Sequence, residues 1–242
     1  MKKGNYTKDG YCFYPNFFEE KELLKIEPII VKFHNHWLKE YASYYNEGSI
    51  NSHSITSSKY LNNSEKDTLF KFIAQKKLVK LLEFENPTFL NTQLFFDPKN
   101  KKQENYWHRD VQYTGLSEIE QKKAIQSQNI VHVRIPFTHE LGIELIPKTH
   151  KKWDSKEAYE VRNSLNNKKP SDSIKNSKLL SLNRKDVLLF SANMIHRGIY
   201  GKNRFSLDII FFEKNPAIFK FRDEQNLPTE SQLLKVECPE VF

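Results

Sequence analysis

Two residues within Tyr106-Trp107-His108-Arg109-Asp110 carry the most specific chemistry in the chain. On an extended strand, side chains at i and i+2 project to one face. His108 and Asp110 can therefore present an imidazole nitrogen and a carboxylate oxygen to a single point, while Arg109 turns away. Two histidines and one carboxylate around a metal leave coordination positions open for a chelating cosubstrate and dioxygen at non-haem ferrous iron. His-x-Asp by itself also fits a surface histidine beside an acidic turn residue, so a third ligand must be found elsewhere. His196 is the best placed, because it lies where the strand-like run from Asp186 ends in a short polar turn and another strand starts. His132, inside Val131 to Ile135, competes as a ligand and reads equally as a core or pocket histidine. His150 also competes, but Pro147-Lys148-Thr149-His150 brings no second ligand near it.

Four further side chains suit an acidic small molecule or its cavity. Arg204 follows His196 by eight residues and opens Arg204-Phe205-Ser206-Leu207-Asp208-Ile209-Ile210-Phe211-Phe212. Such an arginine places a bidentate donor inside a cavity, where its partner would be the carboxylate of a small acid. The competing reading is a surface ion pair with Asp208 or Glu213. Gln93 and Asn91 share a strand face by period two, so both can line a cavity while Leu94 and Phe96 face the other way. Arg134 alternates with His132; because a buried, unpartnered arginine is costly, it is either a pocket residue bound to an acid or a surface residue.

The elements that must position these groups fall into two textures. Residues 11 to 18 read as a short strand and turn, and a charged helical segment begins at Glu19 to Lys25. From Glu27 to about Tyr45, Ile30, Phe33, His34, Trp37, Leu38 and Tyr41 recur near a 3.6-residue period, which predicts an amphipathic helix. A polar stretch from Asn46 to Ser64 reads as a long loop, and Asp67 to Glu85 as a second helix. Beyond residue 88 come strand candidates at Thr88–Phe96, Ile130–Phe137, Ile143–Ile146, Asp186–Phe190, Ile195–Tyr200 and Arg204–Glu213. Leu116–Gln128 and the polar stretch Trp153–Ser181 are helical or irregular inserts. The order predicts a mainly β fold, a sandwich or barrel braced by N-terminal helices. One domain over residues 1–242 is expected, with helical support mainly in 19–85 and the β core in about 88–213.

Composition narrows the class. The chain has 242 residues and 38 Lys plus Arg against 30 Asp plus Glu, a formal net charge of +8. Its basic runs are short and scattered, without the interleaved aromatics that stack single-stranded nucleic acid. Two cysteines, Cys12 and Cys238, exclude a disulfide-stapled scaffold and a cysteine-clustered zinc module. The absence of an 18-residue apolar run and of a signal-like hydrophobic stretch after the first lysines leads to the expectation of a cytoplasmic protein without a membrane span.

With these pieces in order, the chain resembles the phytanoyl-CoA dioxygenase family of iron(II)- and 2-oxoglutarate-dependent oxygenases. The resemblance runs from Gly10-Tyr11 through Phe212. Gly10 to Phe18 is similar to the family's N-terminal strand, and Trp107-His108-Arg109-Asp110 to its metal motif. Gly142-Ile143-Glu144-Leu145-Ile146-Pro147-Lys148-Thr149-His150-Lys151 is similar to its glycine-containing strand and turn, with Lys148-Thr149 where the family has Gly-Ser. Asp186 to Gly198, then Arg204, follow its distal histidine strand and cosubstrate arginine.

The resemblance implies a double-stranded β-helix, or jelly roll, holding iron(II) through His108, Asp110 and His196. Arg204 would pair with the far carboxylate of 2-oxoglutarate, and Gln93, with Asn91 and Arg134 as further candidates, would lie beside it. Dioxygen is then the second cosubstrate, succinate and carbon dioxide are products, and hydroxylation is the expected outcome. Asp110 argues against halogenation, because related halogenases lack this carboxylate. A small polar or anionic metabolite is the expected substrate, since Arg109, Arg134 and Arg197 lie near the site strands. The alternatives are a nucleic-acid oxidative demethylase on the same fold and a non-catalytic jelly-roll binding protein.

Overall fold

A computed structural model describes residues 2–242. The chain opens with a helical turn, α1 (Tyr6–Asp9), and strand β1 (Tyr11–Tyr14). Helix α2 (Glu20–Glu40) follows, started by a capping box in which Glu19 and Glu22 satisfy each other's backbone N–H groups. Its Leu23, Ile26, Ile30, Phe33 and Trp37 form one buried stripe. The helix ends earlier than the periodicity predicts, and a separate turn, α3 (Ala42–Asn46), carries the remainder. Helix α4 (Asn63–Ile73) and turn α5 (Lys76–Val79) replace the continuous second helix expected to run to Glu85, with the break at Ala74 and Gln75.

The strands are β2 (Asn51–His53), β3 (Pro87–Phe96), β4 (Ile130–Pro136), β5 (Glu140–Leu145), β6 (Lys178–Leu182), β7 (Val187–Ser191), β8 (His196–Gly198) and β9 (Phe205–Glu213). Helices α6 (Glu118–Ser127) and α7 (Lys156–Arg162) lie in the two expected inserts. Strand β2 lies within the stretch read as a loop and β6 within the second insert, so each is an addition to the sequence reading. Six strands pair in the order β1-β7-β4-β9-β3-β2, and three in the order β6-β5-β8. Every ladder is antiparallel. The arrangement is the jelly roll.

Alternation along the strands explains the layers. Val131, Val133 and Ile135 of β4 and Leu207, Ile209 and Phe211 of β9 belong to the large core shared with α2 and α4. The opposite face turns toward the three-stranded sheet. Beneath β1 and β7 that inner space is filled by Tyr11, Phe13, Leu188 and Phe190 packed on Ile143, Leu145, Leu180 and Leu182. Beneath β4 and β3 it is a cavity of about 400 Å³ lined mainly by polar side chains, together with Phe95 and Phe190. Among the described residues, no helix is long and apolar enough to cross a membrane.

Candidate metal and cosubstrate site

His108, Asp110 and His196 converge, their ligand atoms all within 4.8 Å of one another. His108 and His196 face each other across an antiparallel bridge, each backbone N–H donating to the other's carbonyl at 3.0 Å. Asp110 does not continue the extended strand assumed from the i, i+2 spacing. Arg109 is extended, and Asp110 starts a 3-10 turn, Asp110–Tyr113, which swings the carboxylate over the histidine pair. Asp110 Oδ1 lies 3.6 Å from Nε2 of both histidines.

The ring nitrogens are sorted by their backbone partners. His108 Nδ1 lies 3.2 Å from the Tyr106 carbonyl and His196 Nδ1 2.9 Å from that of Met194. A carbonyl only accepts, so each Nδ1 carries the hydrogen and each Nε2 keeps its lone pair for the centre. Burial pushes both imidazoles down, that of His196 to about 3 with help from neighbouring His108, which keeps them neutral and able to ligate. Burial works to raise the Asp110 carboxyl, but its hydrogen bond to His132 and the nearby imidazoles hold it well below the usual carboxylate range. Two neutral Nε2 lone pairs and one carboxylate oxygen at this spacing suit a divalent cation.

His132, considered as a competing ligand, lies outside this cluster and pairs with Asp110 instead. Its Nε2 lies 2.8 Å from Asp110 Oδ2 and its Nδ1 2.9 Å from Asp208 Oδ2. Burial opposes its charge, yet the two carboxylates hold it up at about 9. Arg134 clamps Asp208 through Nε at 2.7 Å and Nη2 at 2.9 Å, leaving Nη1 without a partner. Of the two alternatives for this residue, the structure takes the buried one, with Asp208 as its acid.

Arg204 is buried to 3% exposure, and neither its Nε nor its Nη1 finds a hydrogen-bond acceptor. Asp208, one partner considered for it, is taken by Arg134; Glu213 is exposed at the far end of β9. The nearest carboxylate is that of Glu140, 3.9 Å from Nε, whose Oε1 accepts from Ser206 Oγ at 2.6 Å. Burial lowers the guanidinium's pKa, and neighbouring Arg134 lowers it further. Gly198 leaves the room Arg204 occupies, since a Cβ there would lie 2.4 Å from Nη2. Phe95 presents its ring to both guanidiniums, at 4.4 Å from Arg134 and 5.0 Å from Arg204. An ionic donor buried with free N–H groups at a cavity wall suits a carboxylate.

Gln93 lines the same cavity, as do Asn51, His53, Tyr106, Tyr113 and Tyr200. Asn91 does not. Although on the face of Gln93 and Phe95, it turns its amide to Ser54 Oγ at 3.3 Å and to its own chain at Thr92 N. Arg109 points away as expected, donating to Asp154 and to the carbonyls of Thr149, Lys152 and Asn193. Arg197 is held by Glu144 and the Ser171 carbonyl. His150 lies elsewhere, 3.3 Å from the Thr7 carbonyl. Sequence reasoning missed Glu140, whose strand candidate began three residues later, and took Asp208 for a possible surface partner.

The fold and this donor set define a jelly roll with a two-histidine, one-carboxylate centre. No protein-family model and no curated protein matches the chain. The motif resemblance to the phytanoyl-CoA dioxygenase family thus stands without a matching family model. Solved structures share the fold. AviO1 from Streptomyces viridochromogenes Tue57 is 14% identical, with 88% of this chain and 92% of that one covered and a TM-score of 0.57. HygX from Streptomyces hygroscopicus, solved with nickel and 2-oxoglutarate, is 10% identical over 85% and 83%, at 0.58. EctD from S. alaskensis, with bound Fe, is 13% identical over 85% and 73%, at 0.54.

Proposed function

We propose that this protein is an iron(II)- and 2-oxoglutarate-dependent oxygenase of the phytanoyl-CoA dioxygenase type that hydroxylates a small polar metabolite. The observation that carries the reading is the coincidence, in one cavity, of the His108, Asp110 and His196 donors with the buried guanidinium of Arg204, whose Nε and Nη1 have no hydrogen-bond partner. Bound iron(II), with 2-oxoglutarate and dioxygen, supplies the oxidising power: R–H, 2-oxoglutarate and O₂ give R–OH, succinate and CO₂. The chain's own part is positioning. His108, His196 and Asp110 would hold the metal. Arg204 donates Nε–H and Nη1–H to the distal carboxylate of the cosubstrate, a charge-assisted pair strengthened by exclusion of water. Gln93 offers an amide beside it, and Phe95 packs against the guanidinium.

The polar branch is preferred to the anionic one. Arg109 and Arg197 are committed to Asp154 and Glu144, and Arg134 is neutralised by Asp208. The remaining wall of Asn51, His53, Tyr106, Tyr113 and Tyr200 offers hydrogen-bonding groups and rings rather than further unpaired cations. Many lysines suited to gripping phosphate sit in scattered pairs, such as Lys32 with Glu65, Lys77 with Glu22 and Lys235 with Asp67.

The test is an anaerobic titration of the apoprotein with Fe(II) and 2-oxoglutarate, following the visible charge-transfer band of the chelate. A saturable band that disappears in His108→Ala is expected. A folded protein that binds Fe(II) and never develops the band would sink the reading.

A further inference from the structure

The cavity contains more buried charge than metal and cosubstrate binding require. Arg134, Asp208 and His132 are exposed by 2%, 0% and 3%, and together they lead to one atom, Asp110 Oδ2. Register makes this possible: Arg134 of β4 stands directly opposite Asp208 of β9, with His132 two residues away on the same face. Every link is short, 2.7 and 2.9 Å from Arg134 to Asp208, 2.9 Å to His132 and 2.8 Å on to Asp110. Both nitrogens of His132 face carboxylate oxygens, which accept only, so both are donors. The ring cannot readily turn, because it stacks on Phe190 at 4.9 Å and 20°, and Phe190 in turn meets the ring of His196 at 5.0 Å.

We propose that Arg134, Asp208 and His132 form a positioning relay that makes Asp110 a one-oxygen ligand. This deepens the oxygenase reading and rests on it. Unheld, the Asp110 carboxylate is free to turn both oxygens toward the centre and occupy a further coordination position. Held at Oδ2, it presents Oδ1 alone, equidistant at 3.6 Å from the two histidine Nε2 atoms. A metal held this way would keep more positions free for a chelating cosubstrate. An ion pair with a purely structural role would have no need to end on a ligand oxygen. The relay also ties the ligand to the sheet interior, since Asp208 is fixed by two bonds from Arg134, which itself packs on Phe95.

Cobalt(II) titration of the apoprotein reads the geometry through visible absorption, without turnover. In His132→Leu, which removes the donor, Co(II) binding should weaken about 10- to 100-fold, the range for loss of an outer partner of a metal ligand, and the absorption bands should shift. His132→Gln, whose amide restores a donor, should recover most of the affinity and the wild-type bands. Asp208→Asn keeps the shape and serves if the leucine variant fails to fold; it should shift the bands in the same direction with a smaller loss. Wild-type affinity and spectrum in folded His132→Leu, or in Asp208→Asn where only that variant folds, would overturn the relay alone. Equal losses in the glutamine and leucine variants, at matching circular dichroism and thermal midpoints, would also overturn it. Wild-type protein that takes up no Co(II) would overturn both the relay and the oxygenase reading.

Discussion

The two faces of the six-stranded sheet use one backbone for opposite ends. On β4, Val131, Val133 and Ile135 enter the layer under the helices, whereas His132 and Arg134, one residue out of step, join the polar chain to Asp110. Histidines show what the faces do. His34 on α2 lies 4.6 Å from the Phe96 ring and 5.4 Å from that of Phe205, its Nδ1 unpaired, and burial pushes it down to about 4. His132, between two carboxylates, is held at about 9. The same side chain is neutral among rings at His34 and charged between two carboxylates at His132. The larger hydrophobic core lies on the helix-backed face and the polar cavity on the inner one, beside a second apolar cluster.

Substitutions can break or sharpen this contrast. The largest effect belongs to the helix-backed face: Phe211→Ala, at a fully buried position, should cost about 3–5 kcal/mol in urea unfolding through lost packing and a cavity. The protein that remains folded should still bind 2-oxoglutarate; a cost below about 1 kcal/mol would remove the distinction. Next, Arg204→Leu should weaken 2-oxoglutarate binding by at least about 30-fold, the equivalent of 2 kcal/mol or more for truncating a buried charged partner. Its unfolding midpoint should change little, since an ionic donor without hydrogen bonds leaves the interior while buried Glu140, 3.9 Å from Nε, loses a neighbouring cation. Lost stability with unchanged affinity would assign Arg204 a structural role.

The smallest effect concerns pH. His34 has a folded pKa of about 4 against 6.5 for the free side chain, so the unfolded chain binds more protons between those values. Stability should fall as pH drops from 6.5 toward 4. Replacing His34 with Leu should flatten that limb by about 1–2 kcal/mol, allowing for partial exposure of the ring. An unaltered slope in pH-dependent unfolding would place the acid sensitivity elsewhere.

Local signals were legible and pairings were not. The periodicity of Ile30, Phe33 and Trp37 gave α2, and period-two alternation gave β3, β4 and β9. Strand β2, Asn51-Ser52-His53, has no strand-forming residue type and exists because β3 offers it a free edge. In β6, Leu180 and Leu182 alternate correctly, but exposed Leu179 blurs the period. The clustered histidines were signalled by His-x-Asp and by the strand break before His196. The carboxylate's approach depended on a 3-10 turn that the spacing did not reveal. Arg134 could not be assigned because its partner is 74 residues away, and only the β4–β9 register brings them together. Asn91 shows the limit of alternation: sharing a face with Gln93 did not make it share the cavity.

The reciprocal bridge between His108 and His196 has a consequence for solution dynamics. Their two amide hydrogens are each locked in the other's carbonyl, so neither can exchange with solvent deuterium until the bridge opens. Both should exchange slowly and at a common rate even before metal is added. A centre assembled in advance in this way loses little chain freedom on loading, which leaves more of the binding energy for the ion itself.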